Sequence, residues 1–125
     1  MNLNRVFFAF FVLLALSLNY GFFVGDMDNP EHHSVYELFG AVVINLIATV
    51  LKFGERSHIG ALLLASSLVA DVGLLAAAAV MGYAAHVAGD PALWTPLEVS
   101  LAGGALTANI VSVTLMVIEA STLRR

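Results

Sequence analysis

Four stretches of this chain run almost without charge, at residues 3–24, 35–53, 59–85 and 97–119. A helix needs about 20 predominantly apolar residues to cross the hydrocarbon core of a bilayer, and each stretch supplies roughly that length. Each is also continuously apolar. Transmembrane β-strands alternate apolar and polar residues over about ten positions, so the pattern argues against a barrel. The expected fold class is all-α: an integral membrane four-helix bundle, with residues 1–125 forming a single transmembrane domain.

The composition agrees. Of 125 residues, 60% are hydrophobic and 11% charged, whereas a soluble domain carries about 25% charged residues. The lipid bilayer is thus the first expected partner. A net charge of −4 provides no basic patch, which speaks against nucleic acid. There are no cysteines, so disulfides, thiolate metal sites and cysteine nucleophiles are excluded. Four spans with short links use up the chain, leaving no length for a soluble catalytic domain.

The first run resembles a secretory leader, because Arg5 precedes a Phe- and Leu-rich core. The segment after that core, NYGFFV at 19–24, has no good small-x-small cleavage site. It reads as a retained anchor and first helix. In the next segment, Asp28 or Asn29 followed by Pro30 and Glu31 signals a helix start, since Asx side chains cap free N–H groups and proline suits the first helical position. Residues 86–96 read as a loop from their Gly89-Asp90-Pro91 and Trp94-Thr95-Pro96 punctuation.

With four spans, Arg5, Lys52, Arg56, Arg124 and Arg125 all fall at one end of the bundle, and no Lys or Arg falls at the other. The positive-inside rule puts that basic end, with both termini, in the cytoplasm. Acidic residues collect toward the opposite face: Asp26, Asp28, Glu31, Glu37, Asp90 and Glu98. Tyr20, Tyr36 and Trp94 lie near the same interface. A short internal match, GAVVINLI at 40–47 with GALTANIV at 104–111, pairs the second and fourth helices and implies two parallel-related helical hairpins. Compositional likeness between Gly-Ala-rich helices is the preferred explanation of so short a match.

Asp71 is the most informative residue. A carboxylate midway through a membrane helix is costly unless paired, hydrated or protonated. Counting along the helices puts Asn45 and Asn109 at a similar depth, with Asn19 nearer the outer face. Ser66 and Ser67 lie about one turn further toward the cytoplasm. Two readings of this layer stay open: an ion or proton pathway, and a hydrogen-bonded clasp that sets helix register. Either one turns these side chains inward.

Asp26, Asp28, Glu31, Glu37 and Glu98 would make an acidic outer mouth. His32 and His33 stand among them, but adjacent residues on a helix point in different directions. No metal site and no cofactor are expected there, and the preferred reading is a helix cap with a solvated acidic turn. Small residues recur four apart, as in Gly73 with Ala77, Ala78 with Gly82 and Gly104 with Ala108, which suits close helix packing within the bundle or between protomers. Glu119 is placed to pair with Arg5 or a terminal arginine.

Two strings, GDMDNPEHH at 25–33 and NLIATVLKFG at 45–54, resemble an uncharacterised family of short, four-helix bacterial integral membrane proteins, and the likeness extends over nearly the whole chain. The resemblance implies a bacterial inner (plasma) membrane location and adds nothing on mechanism.

Two functions compete. One is an oligomeric cation or proton channel or transporter component, its acidic mouth concentrating cations above the Asp71, Asn45 and Asn109 layer. The other is a non-transporting accessory or assembly subunit of a larger membrane complex. The first is preferred narrowly. An enzyme is not expected, because one aspartate without a positioned partner falls short of a catalytic set. No Thr-Val-Gly-Tyr-Gly string of potassium filters occurs.

Overall fold

The computed structural model describes residues 3–25, 29–53 and 57–123. Within them the chain forms four long helices: α1 (Leu3–Phe23), α2 (Val35–Lys52), α3 (His58–Tyr83) and α4 (Pro91–Leu123). A 3-10 turn at Pro30–His32 precedes α2, and a π-helical stretch, Ala84–Ala88, continues α3. There is no strand among the described residues. All four long helices are long and apolar enough to cross a membrane.

The helices form a closed ring in chain order. α1 packs on α2, α2 on α3, α3 on α4, and α4 returns to α1. The α3/α4 and α1/α2 seams are the most extensive, so the bundle is two helical hairpins laid side by side. α3 and α4 approach especially closely at Gly73, where an added Cβ would sit 2.9 Å from the Leu101 carbonyl oxygen.

Local chemistry sets the helix ends. Ser34 Oγ accepts the Tyr36 N–H at 3.2 Å and caps α2. Ser57 Oγ accepts the Gly60 N–H at 2.9 Å and caps α3. Asn29 and Pro30 do not begin the second helix as the sequence suggests. Asn29 instead organises the separate 3-10 turn, its Oδ1 accepting the Glu31 N–H at 3.0 Å and its carbonyl accepting the His32 N–H at 3.1 Å. That turn delivers His33 back to α1, where its Nδ1 lies 2.5 Å from the Phe22 carbonyl. The last carbonyls of a helix lack intrahelical donors, and His33 supplies one. Asp28, the other candidate cap, lies outside the described residues, as does Asp26.

The loop expected over 86–96 is also shorter than its punctuation indicates. Gly89, at φ 70°, takes the left-handed conformation that ends α3 and its π extension. α4 then starts at Pro91, a favoured first helical residue, and contains Pro96. Proline at 96 removes one helical N–H close to the helix start. Nearby, Thr95 Oγ1 donates to the Pro91 carbonyl at 2.9 Å.

The side-chain distribution is inverted relative to a water-soluble bundle. Phe7, Phe39, Val50 and Val72 point outward, more than half exposed, while Asn19, Asn45, Asp71 and Asn109 are buried. One apolar cluster, built on Phe22, Leu38, Leu74 and alanines of α2, α3 and α4, fills the half of the bundle nearer the 3-10 turn. A second, with Phe8, Val12, Ala48 and Leu63, fills the other half.

Candidate functional site

The buried face of α2 carries Leu38, Ala41, Asn45, Ala48, Thr49 and Lys52, the three-and-four spacing of one helical face. The buried face of α3 carries Ser66, Ser67, Ala70, Asp71 and Leu74. Where the two meet, both oxygens of Asp71 are engaged. Asn45 Nδ2 donates to Oδ1 at 2.6 Å, and Thr49 Oγ1 donates to Oδ2 at 2.6 Å. Asn45 also donates to the Ser67 carbonyl at 3.2 Å. Thr49 is within 3.0 Å of the Asn45 carbonyl.

Each Asp71 oxygen thus lies at a short hydrogen-bond distance from a polar side chain of α2. Asp71 is 6% exposed, and Asn45 and Thr49 are buried beside it. The donors are neutral. Among the described residues, no cationic side chain stands among the hydrogen-bond partners of Asp71.

Asn109 is not part of this cluster, contrary to the depth argument from sequence. It sits on the α4 face that turns toward α1, and with the Asn19 amide assigned the orientation that satisfies its neighbours, Asn109 Nδ2 donates to the Asn19 oxygen at 3.1 Å. The same Asn19 oxygen accepts the Leu106 N–H at 3.0 Å, and its nitrogen donates to the Ala102 carbonyl at 3.0 Å. Asn19 thus bridges the donor and acceptor of a single turn of α4. Equal depth along the bundle is no guide to contact: α3 and α4 are neighbours, but Asn109 is on the face of α4 turned to α1 rather than the face turned to Asp71.

The two polar pairs have matching places in the ring. Asn45 on α2 reaches the next helix, α3, and Asn109 on α4 reaches α1. A hydroxyl pair, Ser66 with Ser112 at 2.6 Å, ties α3 to α4. At the basic end Arg5 pairs with Glu119 at 3.3 Å, the pairing open to Glu119 from sequence. Lys52 Nζ lies 4.6 Å from the Phe8 ring centroid, a cation–π distance.

Sequence reasoning missed Thr49 and Ser112. Thr49 had a signal, since it follows Asn45 by one turn on the same face. Ser112 had a weaker one, three residues after Asn109.

The acids expected at the outer mouth divide. Glu31 is exposed, and Glu37 is half-buried against α1, where a Cβ at Gly21 would meet its carboxylate. Glu98 is not at a solvated mouth. It is 3% exposed and faces a cavity beside His33, which is itself 3% exposed rather than part of a solvated turn. Both are drawn in because the 3-10 turn folds His33 under α1, and Glu98 lies on the inner face of α4 with Thr95 and Ala102.

A family model described as a family of unknown function, DUF6394, matches residues 32–120. The match includes Asn45, Thr49, Asp71 and Glu98, and leaves Asn19 outside. No curated protein and no solved structure matches the chain.

Proposed function

Because the chain belongs to DUF6394, a family of unknown function, its activity has to come from its own residues, and we propose that it is a four-span membrane protein in which Asp71 takes up and releases a proton as part of a transport component. The outward apolar side chains and four apolar spans, with mean hydropathy between 1.7 and 2.1, support insertion in a bilayer. The basic residues at one end support an orientation with both termini in the cytoplasm of a bacterial cell.

The observation that carries the reading is the Asp71 carboxylate, buried midway along α3 and held by two neutral donors. Intramembrane ionisable groups are candidates for ion and proton pathways by default. The donor set favours a proton over a metal cation. An amide N–H and a hydroxyl point at the two oxygens that a hard cation would need, whereas a proton needs one oxygen and a hydroxyl that turns away.

The surroundings are asymmetric. Toward the basic end, Thr49 and Lys52 continue the buried face of α2 below Asn45. Toward the acidic end, Phe22, Leu38 and Leu74 belong to a buried apolar cluster. A second apolar cluster, with Phe8, Val12, Ala48 and Leu63, fills the basic half as well, so exchange on either side requires a cluster to part. A single four-helix ring has little room for such a path, so we propose that the working unit is a homo-oligomer or a larger complex.

A second reading, a non-transporting accessory or assembly subunit, is favoured by another observation. Asp71 with Asn45, Asn19 with Asn109, and Ser66 with Ser112 are each mutually satisfied, as clasps between neighbouring helices would be. Proton flux into liposomes separates the two. Wild type is expected to acidify the lumen under an imposed gradient, and Asp71→Asn to abolish this while eluting normally. Silent wild type across gradients and pH values, or an Asn variant as active as wild type, would give the accessory reading precedence.

Orientation has its own test, since no native cysteine interferes. Ala92→Cys is expected to react with an impermeant maleimide in intact cells, and His58→Cys only after lysis. The reverse pattern would invert the topology.

A further inference from the structure

We propose that the cavity between the 3-10 turn and the start of α4 binds hydrophobic organic cations, with the Glu98 carboxylate as counter-ion. This cavity of about 420 Å³ is lined by Glu31, His33, Thr95 and Glu98. It adjoins a second cavity of about 440 Å³ between α2 and α3, walled by Leu38 and Phe39 among other apolar groups. The two share Val35, Met81 and Ala85, so they form a continuous cleft, acidic at one end and apolar at the other. Their combined size is that of ordinary small-molecule sites, which span about 300–1,000 Å³.

Charge selects the occupant. Two carboxylates line the polar end, and neither cavity is lined by a Lys or Arg among the described residues. Glu98 is 3% exposed, and no hydrogen bond to its carboxylate is found among the described residues. Two neighbouring polar atoms are engaged with backbone. Thr95 Oγ1 donates to the Pro91 carbonyl, and His33 Nδ1 is held by the Phe22 carbonyl. His33 interacts with Glu98 electrostatically. A carboxylate this buried is costly even beside a single imidazole, and a cation with an apolar body would satisfy it more fully while filling the adjoining cleft. Beside the cleft, the π-helical stretch Ala84–Ala88 brings Ala85 to the junction of the two cavities; such segments recur at functional sites. This inference does not depend on the role of Asp71.

The test uses the purified full chain in detergent micelles, with tetraphenylphosphonium as probe and tetraphenylborate as its anionic isostere. Trp94, the sole tryptophan, neighbours Thr95 in sequence and reports occupancy by fluorescence, with calorimetry as the second readout. Saturable one-to-one binding of the phosphonium is expected, with none of the borate. Glu98→Gln should weaken it by about tenfold or more, and Asp71→Asn should leave it unchanged. Should Glu98→Gln not fold, Ala85→Phe fills the junction of the two cavities and is expected to abolish binding. Equal binding of both ions, or wild-type affinity in Glu98→Gln or Ala85→Phe, would overturn the assignment. So would loss of binding in Asp71→Asn, whereas failure of proton flux alone would leave it standing.

Discussion

Asp71→Ala is expected to lower the unfolding free energy of the bundle by about 2–3 kcal/mol, and Asp71→Asn by less than about 1 kcal/mol. Alanine removes the acceptor from two buried donors, Asn45 Nδ2 and Thr49 Oγ1. A buried donor left unsatisfied costs about 1–3 kcal/mol. Neither is left without recourse, since Asn45 retains the Ser67 carbonyl and Thr49 the Asn45 carbonyl. That places the sum near the lower end of the range. Asparagine offers a carbonyl to Asn45 and an amide to the Thr49 oxygen, so it rebuilds both contacts without the charge. Equilibrium unfolding in mixed micelles measures the difference. Equal destabilisation by Ala and Asn would mean that the charge, rather than the hydrogen bonding, holds α2 to α3.

Glycine substitutions along α3 and α4 should change sign with position. Gly73→Ala is expected to destabilise by about 1–3 kcal/mol, the usual cost of forcing atoms into a packed interior. Its Cβ would lie 2.9 Å from the Leu101 carbonyl oxygen and 3.1 Å from the Ala105 Cβ. The first of these is backbone on a packed helix and does not give way as a flexible side chain does. Gly82 and Gly104 have nothing within 4 Å of an added Cβ. There, alanine removes glycine's conformational penalty and is expected to be neutral or stabilising by up to about 1 kcal/mol. The same unfolding assay reads all three. A stable Gly73→Ala variant would contradict the close α3/α4 seam.

The positions of the four long helices were legible because the signal is long and redundant: a predominantly apolar stretch of about twenty residues tolerates an error of several residues at either end. Asp71 was legible as inward-facing for a similar reason, since lipid offers a carboxylate no hydrogen bond. The helix starts were less so. Asn29-Pro30 and Ser34 both carry capping chemistry, and local sequence does not rank them; the 3-10 turn forms at the first because His33 then reaches the open carbonyl end of α1.

The choice of partners belongs to the tertiary structure. Asn45 and Asn109 occupy similar sequence settings, yet one holds Asp71 and the other holds Asn19. Depth along a helix follows from counting residues, but the corner of the ring that a side chain faces depends on how four helices are rotated and ordered around a shared axis. Glu98 shows the same division. Sequence places it among the acids at one end of the bundle, and only the packing of α4 against the 3-10 turn decides that its carboxylate is buried in a cavity beside His33 instead of lying in solvent.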